Sequence, residues 1–528
     1  MSKQKVFVAA IWITAISAVS KILGLVRESC LAAYYGANSA TDAFKVAYSL
    51  PDVFFFIISA AIAQTFIPVY SGILAEGNAL KTKKFLNNLY TIIIILSGAL
   101  ILMGSLLSPW LVRLIAPGLS EATLATAAKL AVIIIPAALF QVLSNLTAGV
   151  LQSHNRFIAP ALMWYPYNMM VIAGMVLLHQ KGLEILAVAN VVGFAGMLAI
   201  QIPSMIREGF TYRPVIDLKD ENIKKMWIMV IPVIVGTSFN QLYVIINRVL
   251  ASGLNPGSIS ALDYASRISS LVYSIFILSL ATVIYPALSR LSEDHGEFMR
   301  LLGRALRIAL MAVLPMAAMF IVLRIPIVEL LYQRGRFDAQ DTLITSTVLA
   351  GLALGMCGIA FCELLNRAFY ALKDTRTPMI NGICVIIMNI IMNIILVHYM
   401  GILGIALGSS IAATFSAVML LLRLRKKMGN IQGKWITNGF IKLLIASGFT
   451  AITVFWTEKL LVHTLHLTGS TLKLGVNITL ASGTGAIIYL GIIFFLGMEE
   501  LDDAIAFIGT RLPKTIKFRR ISTQTRGA

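Results

Sequence analysis

The chain alternates long apolar segments with short polar ones along almost all of its 528 residues. Most of the apolar segments reach roughly 20 residues, the length at which an α-helix crosses the hydrocarbon core of a bilayer. We expect transmembrane helices at 6–26, 43–67, 88–111, 125–151, 158–179, 183–206, 226–250, 258–288, 303–323, 342–371, 379–398, 402–423, 437–458 and 473–497. The pattern predicts an all-α integral membrane protein with about 14 transmembrane helices.

Short sequence markers repeat along the chain with a spacing of about 218 residues. FIPVYSG around Pro68 recurs as IYPALSR around Pro286, and HNRFIAPA around Pro160 recurs as KDTRTPMI around Pro378. WLVRLIAPG with VELLYQRG, and FKVAYS with DYASRI, keep the same spacing within a residue. Repeated halves of a membrane protein usually rock against each other about a central site, which is typical of transporters.

The repeat and the remaining segments divide the chain into four predicted parts. We expect an N-terminal six-helix half at 1–215, a C-terminal six-helix half at 216–430, two additional transmembrane helices at 431–500, and a cytoplasmic basic tail at 501–528.

Composition and charge agree with a membrane protein. Residues are 58% hydrophobic and 13% charged, and the mean hydropathy is +0.85, which excludes an ordinary soluble domain. The net charge of +19 is spread over many short loops and is concentrated on alternate ones, as the positive-inside rule requires. This distribution predicts that both termini are cytoplasmic, and it favours contact with anionic lipid headgroups over binding of nucleic acid.

No motif of covalent catalysis occurs in the sequence. There is no HExxH and no nucleophile elbow, and the four cysteines form no CxxC pair. We therefore expect neither an enzyme nor a metal centre.

Charged residues inside the apolar segments carry the functional signal, because charge in a membrane is costly and usually functional. The cations on helices that correspond between the two repeats are Lys21, Arg27, Lys45, Arg248 and Arg267. We expect them to line a cationic cavity that accepts an anion. The nearby acids, expected towards the outer ends of the helices, are Glu28, Asp42, Asp52 and Asp263. Two simpler interpretations stay open, in which Lys21 extends to the membrane surface and Arg27 pairs with an acid.

Several long stretches resemble the MurJ (MviN) family, which shares a superfamily with multidrug-and-toxin extruders and polysaccharide flippases. They are SKILGLVRESCLAAYYGANSATDAFKVAYSLP, FIPVYSG, IAPG, NQLYVIINRVLASGLNPGSISALDYASRI, LLYQRGRFDAQDT and AFYALKDTRTPMI, and the likeness covers nearly all of residues 5–425. The resemblance implies a lipid II flippase of the bacterial inner membrane. Such a protein moves undecaprenyl-diphosphate-linked disaccharide-pentapeptide from the inner to the outer leaflet, and the two appended helices would line a groove for the lipid tail.

The resemblance also implies partners and site residues. It implies a monomer that needs no cofactor and that meets lipid II, membrane lipids and cell-wall synthesis proteins. The family's paired basic positions fall on Lys21 and Arg27, its helix-eight basic position on Arg267, and its outer gate acid on Asp42. Where many members carry an arginine and an EGA motif, this chain has Phe55 and Ala60. Either Lys45 or Arg248 substitutes, or the diphosphate is held by fewer charges.

The driving force has two candidates. Some members of the family hold sodium with polar and acidic groups, and the corresponding helices here offer Asn247, Asn389, Asn393 and Ser409. Neutral amides bind sodium weakly without a carboxylate, and hydrogen bonding between helices is the simpler interpretation of these residues. The membrane potential, worth about 2.3 kcal/mol per charge per 100 mV, is the other candidate.

Three other functions remain compatible with the sequence. A polysaccharide or sporulation-type flippase would share the fold and differ in cargo. A multidrug antiporter would need carboxylates deep in the bundle, where the chain has almost none. A membrane scaffold without transport would leave the intramembrane cations unexplained.

Overall fold

A computed structural model describes residues 3–429, 433–465 and 470–498, and these residues are nearly all helical, with no strand among them. The helices are α1 Lys3–Tyr35, α2 Ser39–Ala75, α3 Ala79–Leu106, α4 Ser108–Ile115, α5 Glu121–Ile134, α6 Ala137–Ser153, α7 Ile158–Leu162, α8 Trp164–Leu178, α9 Leu183–Ala199, α10 Ile202–Arg207, α11 Glu221–Ser252, α12 Ser258–Val272, α13 Leu278–Arg290, α14 His295–Val322, α15 Arg324–Tyr332, α16 Ala339–Leu354, α17 Met356–Ala371, α18 Arg376–Met400, α19 Ile402–Met428, α20 Gly433–Leu465 and α21 Thr471–Phe495. A 3₁₀ turn at His179–Lys181 follows α8, and a π turn at Tyr273–Ile277 joins α12 to α13.

The helices are long and apolar enough for an integral membrane protein, as the sequence predicts. Within the described part of the chain, nine candidate spans pass tests of length and hydropathy, and eleven pass if each of two broken helix pairs forms one span. Three further long helices, α1, α2 and α11, include side chains that are not described, so the total of 14 stays a prediction.

Polar residues in the short connections fix where several helices begin. Asn38, Asn78, Asp220 and Asp294 each accept a hydrogen bond from backbone N–H groups of the first turn of α2, α3, α11 and α14, respectively. These groups have no partner within the helix, so a polar side chain at this position stabilises the start of the helix.

The sequence repeat reappears in the local backbone. The break between α5 and α6, at Ile135 and Pro136, corresponds to the break between α16 and α17 at Gly355. Two non-glycine residues with positive φ, Asn155 and Lys373, lie 218 residues apart and share a φ of 59°. Because each follows the second helix of its broken pair, the same helix–turn unit occurs in both halves.

The chain forms two compact units. The first contains Met1–Leu271, Arg324–Gly355 and Pro378–Ser416, and in it α2 packs against α5, α6 and α11 while α1 packs against α8. The second contains Val272–Leu323, Met356–Thr377 and Ala417–Ala528, and in it α14 packs against α17 and α20. The division at 215, 430 and 500 expected from the sequence is not tested by these units and stays a prediction.

Candidate functional site

Three helices of the first unit bring three cations onto one carboxylate. The Glu28 carboxylate on α1 lies 2.7 Å from the Arg27 guanidinium, 2.7 Å from Lys45 Nζ of α2 and 3.6 Å from the Arg267 guanidinium of α12. Arg27, Glu28 and Lys45 are buried, whereas the Arg267 side chain is 48% exposed. We call Arg27, Glu28, Lys45 and Arg267 the cation cluster.

Two tyrosine rings support the buried cations. The Arg27 guanidinium carbon lies 4.9 Å from the centre of the Tyr167 ring, and Lys45 Nζ lies 4.8 Å from the centre of the Tyr264 ring. The Tyr167 hydroxyl donates to Asn190 Oδ1 at 2.8 Å, which fixes the ring. Ring faces attract cations, and a desolvated pair of this kind stabilises by about 2 kcal/mol.

The cation cluster has a formal charge of +2, because one carboxylate meets three cations. A neighbouring cavity, lined by Arg27, Glu28 and Lys45 among others, measures about 20 Å³. This is room for about one water molecule. The surplus positive charge suits an anion, but in this conformation the cavity cannot hold a large headgroup.

The position of Glu28 differs from the sequence expectation. The nearby acids were expected at the outer ends of the helices, away from the cations, but Glu28 lies at the centre of the cation cluster. The physical reason is that three buried cations repel one another and lose their hydration, so a carboxylate among them lowers the cost of burial.

The other expected cations lie elsewhere. Lys21 is exposed, and its six-residue separation from Arg27 puts it about 120° away around α1. The Arg248 guanidinium lies 3.4 Å from the Asp263 carboxylate, which makes a separate, formally neutral pair. The side chains of Phe55 and Ala60, where the family has charged residues, lie outside those that the structure describes. Of the five expected cations, the structure therefore brings Arg27, Lys45 and Arg267 together.

Asp42 joins α2 to the start of α12. Its carboxylate accepts from Gly257 N at 2.7 Å, from Ser260 N at 2.8 Å and from Ser260 Oγ at 2.6 Å. Gly257 has a φ of +89°, and a Cβ atom there would lie 2.1 Å from the Ala37 carbonyl oxygen. Only glycine allows this close approach. A negative group at a helix N-terminus is stabilised by the unpaired N–H groups and the helix dipole, so Asp42 holds α12 against the start of α2.

The four expected ion ligands form one buried hydrogen-bonded group in the first unit. Asn393 Nδ2 donates to Asn247 Oδ1 at 2.7 Å and to Asn389 Oδ1 at 3.2 Å. Ser409 Oγ accepts from Asn247 and from Asn389, each at 3.4 Å. The Tyr243 hydroxyl interacts with Ser409 and Asn247 and joins the group.

These residues do not fit sodium in this conformation. The Oδ1 atoms of Asn247 and Asn389 already accept hydrogen bonds, and Asn393 Oδ1 packs so closely on Gly408 that a Cβ atom there would lie 2.0 Å away. The group also consists of neutral amides and hydroxyls, whereas sodium and other hard cations prefer sites with carboxylates. Hydrogen bonding between helices accounts for the group.

Sequence reasoning missed the tyrosines that support the cations. Tyr264 lies three residues before Arg267 within DYASRI, so one helix turn carries both, and this spacing was a usable signal. Tyr167 lies 140 residues from Arg27 along the chain, and no local pattern connects the two.

Comparison with known proteins relates the whole arrangement to one family. The family model described as lipid II flippase MurJ matches residues 31–476. A protein of Burkholderia cenocepacia named lipid II flippase MurJ is 28% identical over 436 residues, which cover 80% of this chain and 84% of that protein. A probable lipid II flippase MurJ of Buchnera aphidicola subsp. Acyrthosiphon pisum is 30% identical over 424 residues, with coverage of 78% and 83%.

Solved structures give the same relationship. A lipid II flippase MurJ in an inward closed conformation superimposes with a TM-score of 0.79 at 27% identity, covering 94% of this chain and 100% of that one. An inward-facing multidrug resistance MATE family transporter superimposes with a TM-score of 0.65 at 17% identity, covering 80% and 99%. The second likeness concerns the fold alone.

Proposed function

The chain belongs to the lipid II flippase MurJ family, and from this premise we propose that it moves lipid II from the inner to the outer leaflet of the bacterial inner membrane by alternating access. Members of this family are transporters rather than enzymes. The observation that carries the proposal is the convergence of Arg27, Lys45 and Arg267 on Glu28 within the helical bundle.

Glu28 acts in this mechanism as a resident counter-ion. Without cargo, it neutralises part of the charge on Arg27, Lys45 and Arg267. A diphosphate carries more negative charge than one carboxylate and more acceptor oxygens, so it can replace Glu28 as the partner of the cations. The released Glu28 then competes for the same cations, which helps the cargo to dissociate. Binding and release thus use the same side chains.

The conformation described here corresponds to a closed state in this mechanism. The cavity beside the cation cluster has room for about one water molecule, and the Asp42 contacts hold α12 against the start of α2. The positive-inside rule assigns Asp42 to the outer side. Lipid II therefore enters only after the bundle opens towards the inner leaflet, and it leaves after the Asp42 contacts break.

The proposal predicts that this chain replaces a native lipid II flippase. In a bacterium depleted of its own flippase, expression of the chain should restore growth and the appearance of lipid II in the outer leaflet, measured by labelling of the exposed headgroup. A control strain carries the chain with Arg27→Ala at the same membrane level. If normal expression of the unmodified chain restores neither growth nor outer-leaflet lipid II, the cargo is a different molecule.

For the driving force, the proposal is the membrane potential rather than sodium. The buried amide group does not fit sodium, whereas the potential, negative inside, favours outward movement of a negative headgroup. At about 2.3 kcal/mol per charge per 100 mV, the equilibrium distribution shifts about 50-fold for each charge moved.

Reconstituted vesicles can separate the two drivers. A potassium diffusion potential should increase lipid II transport several-fold, because each charge moved gains about 2.3 kcal/mol per 100 mV. Replacing sodium with choline should leave the rate unchanged. The control is Asn393→Ala, which should alter stability but not the potential dependence. Transport that needs sodium and ignores the potential would contradict this choice.

A further inference from the structure

A second charged group lies in the second unit, on transmembrane candidate helices that the sequence analysis did not single out. The Glu363 carboxylate on α17 lies 2.9 Å from the Arg367 guanidinium one turn later. It also accepts from the Tyr273 hydroxyl of the π turn at 3.1 Å. The Arg367 guanidinium carbon lies 6.0 Å from the centre of the Tyr285 ring on α13. We call Tyr273, Tyr285, Glu363, Arg367 and Tyr370 the tyrosine patch.

The tyrosine patch faces open space in the second unit rather than its packed interior. Tyr285 and Tyr370 are 37% and 39% exposed, and the Arg367 side chain is 35% exposed. Glu363, Arg367 and Tyr370 follow each other by four and three residues, so they share one face of α17. The opposite face of α17, with Leu364 and Ala368, is buried.

The neighbouring helix α13 adds a stripe of exposed hydroxyl groups. Ser279, Thr282 and Ser289 are exposed, and each hydroxyl donates to a carbonyl of its own helix. Ion pairs and hydroxyl stripes are costly against lipid tails, so in a membrane helix they line water-filled space or a polar ligand. This face of α13 and α17 therefore belongs to an aqueous surface within the membrane.

The chemistry of the tyrosine patch differs from that of the cation cluster. Its one carboxylate and one guanidinium cancel, so it offers no surplus charge for an anion. It offers instead a carboxylate acceptor, a forked donor and exposed tyrosine rings, which have flat apolar faces with polar edges. Asn366 Oδ1, on the same helix turn, is buried and has no hydrogen-bond partner among the described residues. A ligand with hydroxyl groups, apolar C–H faces and little charge matches this set.

We propose that the tyrosine patch binds the carbohydrate of the cargo, with the Tyr285 and Tyr370 rings against sugar C–H faces and Glu363 and Arg367 hydrogen-bonded to sugar hydroxyls. This inference rests on the proposed function. It assigns different parts of lipid II to different residues: the diphosphate to the cation cluster and the uncharged sugars to the tyrosine patch. The patch then provides specificity, because a lipid that carries a diphosphate without sugars gains nothing from it.

The test compares two lipids on purified full-length protein. Tyr285→Ala and Glu363→Gln should each weaken binding of lipid II about tenfold, as expected for loss of about 1.4 kcal/mol. Binding of undecaprenyl diphosphate, which lacks the sugars, should stay within about twofold, because the cation cluster is intact. Arg27→Ala should weaken binding of both lipids. Glu297→Gln, which removes the partner of Arg300 in an exposed pair on α14, is the matched control and should change neither.

The possible outcomes separate the inference from the proposed function. Equal weakening of both lipids by Tyr285→Ala and Glu363→Gln, or no effect on either, would overturn the sugar assignment while leaving the flippase proposal intact. Failure of the unmodified chain to move lipid II would instead overturn the proposed function. A third arm measures the soluble disaccharide by saturation-transfer NMR. Loss of its signal in Tyr285→Ala, with unchanged thermal unfolding, supports the patch, and an unchanged signal contradicts it.

Discussion

Replacing Arg27 with alanine is expected to abolish rescue of a flippase-depleted strain and to reduce lipid II transport in vesicles about 10- to 100-fold. Arg27 is buried, 2.7 Å from Glu28 and stacked on Tyr167, so its loss removes a fixed donor from the diphosphate site. A hydrogen bond to a charged group contributes about 1.5–3 kcal/mol, which corresponds to this range of rates. Growth and outer-leaflet lipid II are the two measurements.

Two variants make the Arg27 result interpretable. Arg27→Lys keeps the charge and loses the forked geometry, so it should retain partial transport. Arg113→Ala removes a cation from an exposed ion pair with Glu121 and should have no effect. Full rescue by Arg27→Ala at normal membrane levels would refute binding of the diphosphate by the cation cluster.

Replacing Asp42 with alanine is expected to open the outer side and reduce transport at least tenfold. The Asp42 carboxylate accepts three hydrogen bonds from Gly257 and Ser260, and alanine accepts none. Water replaces part of this loss in the open state, so the net shift is about 3 kcal/mol, or about 100-fold towards the open state. A cysteine at Ser258, which is buried here, should become reactive to a membrane-impermeant maleimide in the Asp42→Ala background.

The labelling experiment uses a chain whose four native cysteines are replaced by alanine. Asp42→Asn keeps one acceptor oxygen and should give intermediate labelling. Asp294→Ala removes an acidic N-cap of a different helix, α14, and should leave labelling of position 258 unchanged. Equal labelling of the parent and Asp42→Ala would mean that Asp42 caps α12 without closing the outer side.

Much of the fold could be predicted from the sequence, because hydrophobic length is a local property. A segment such as 379–398 must be a helix in a bilayer, since its backbone N–H and C=O groups have no water to bind, and the structure has α18 there. The internal repeat was visible in short strings around Pro68 and Pro286, and it reappears as matched backbone angles at Asn155 and Lys373. Intramembrane charge identified Arg27, Lys45 and Arg267 as candidates because each is costly wherever it lies.

Which candidates act together could not be predicted, because helix rotation is decided by packing. Lys21 and Arg27 looked like a pair in the sequence, but only Arg27 is buried, and Lys45 reaches Glu28 from the next helix. The separation of charge signs also failed at Glu28, because the sequence gives no distance between α1, α2 and α12. The tyrosine patch was missed for a similar reason, since Tyr273 and Glu363 are 90 residues apart.

The sequence by itself determined that this chain is a helical membrane protein with a repeated architecture, intramembrane cations and the motifs of one transporter family. These features depend on hydropathy, spacing and residue identity, all of which are local. Only the tertiary structure decided that Glu28 is the common partner of three cations, that Asp42 caps α12, and that the amide group is satisfied by its own hydrogen bonds. Such contacts join residues from different helices, and their energy depends on distance and burial, which are fixed only when the helices pack.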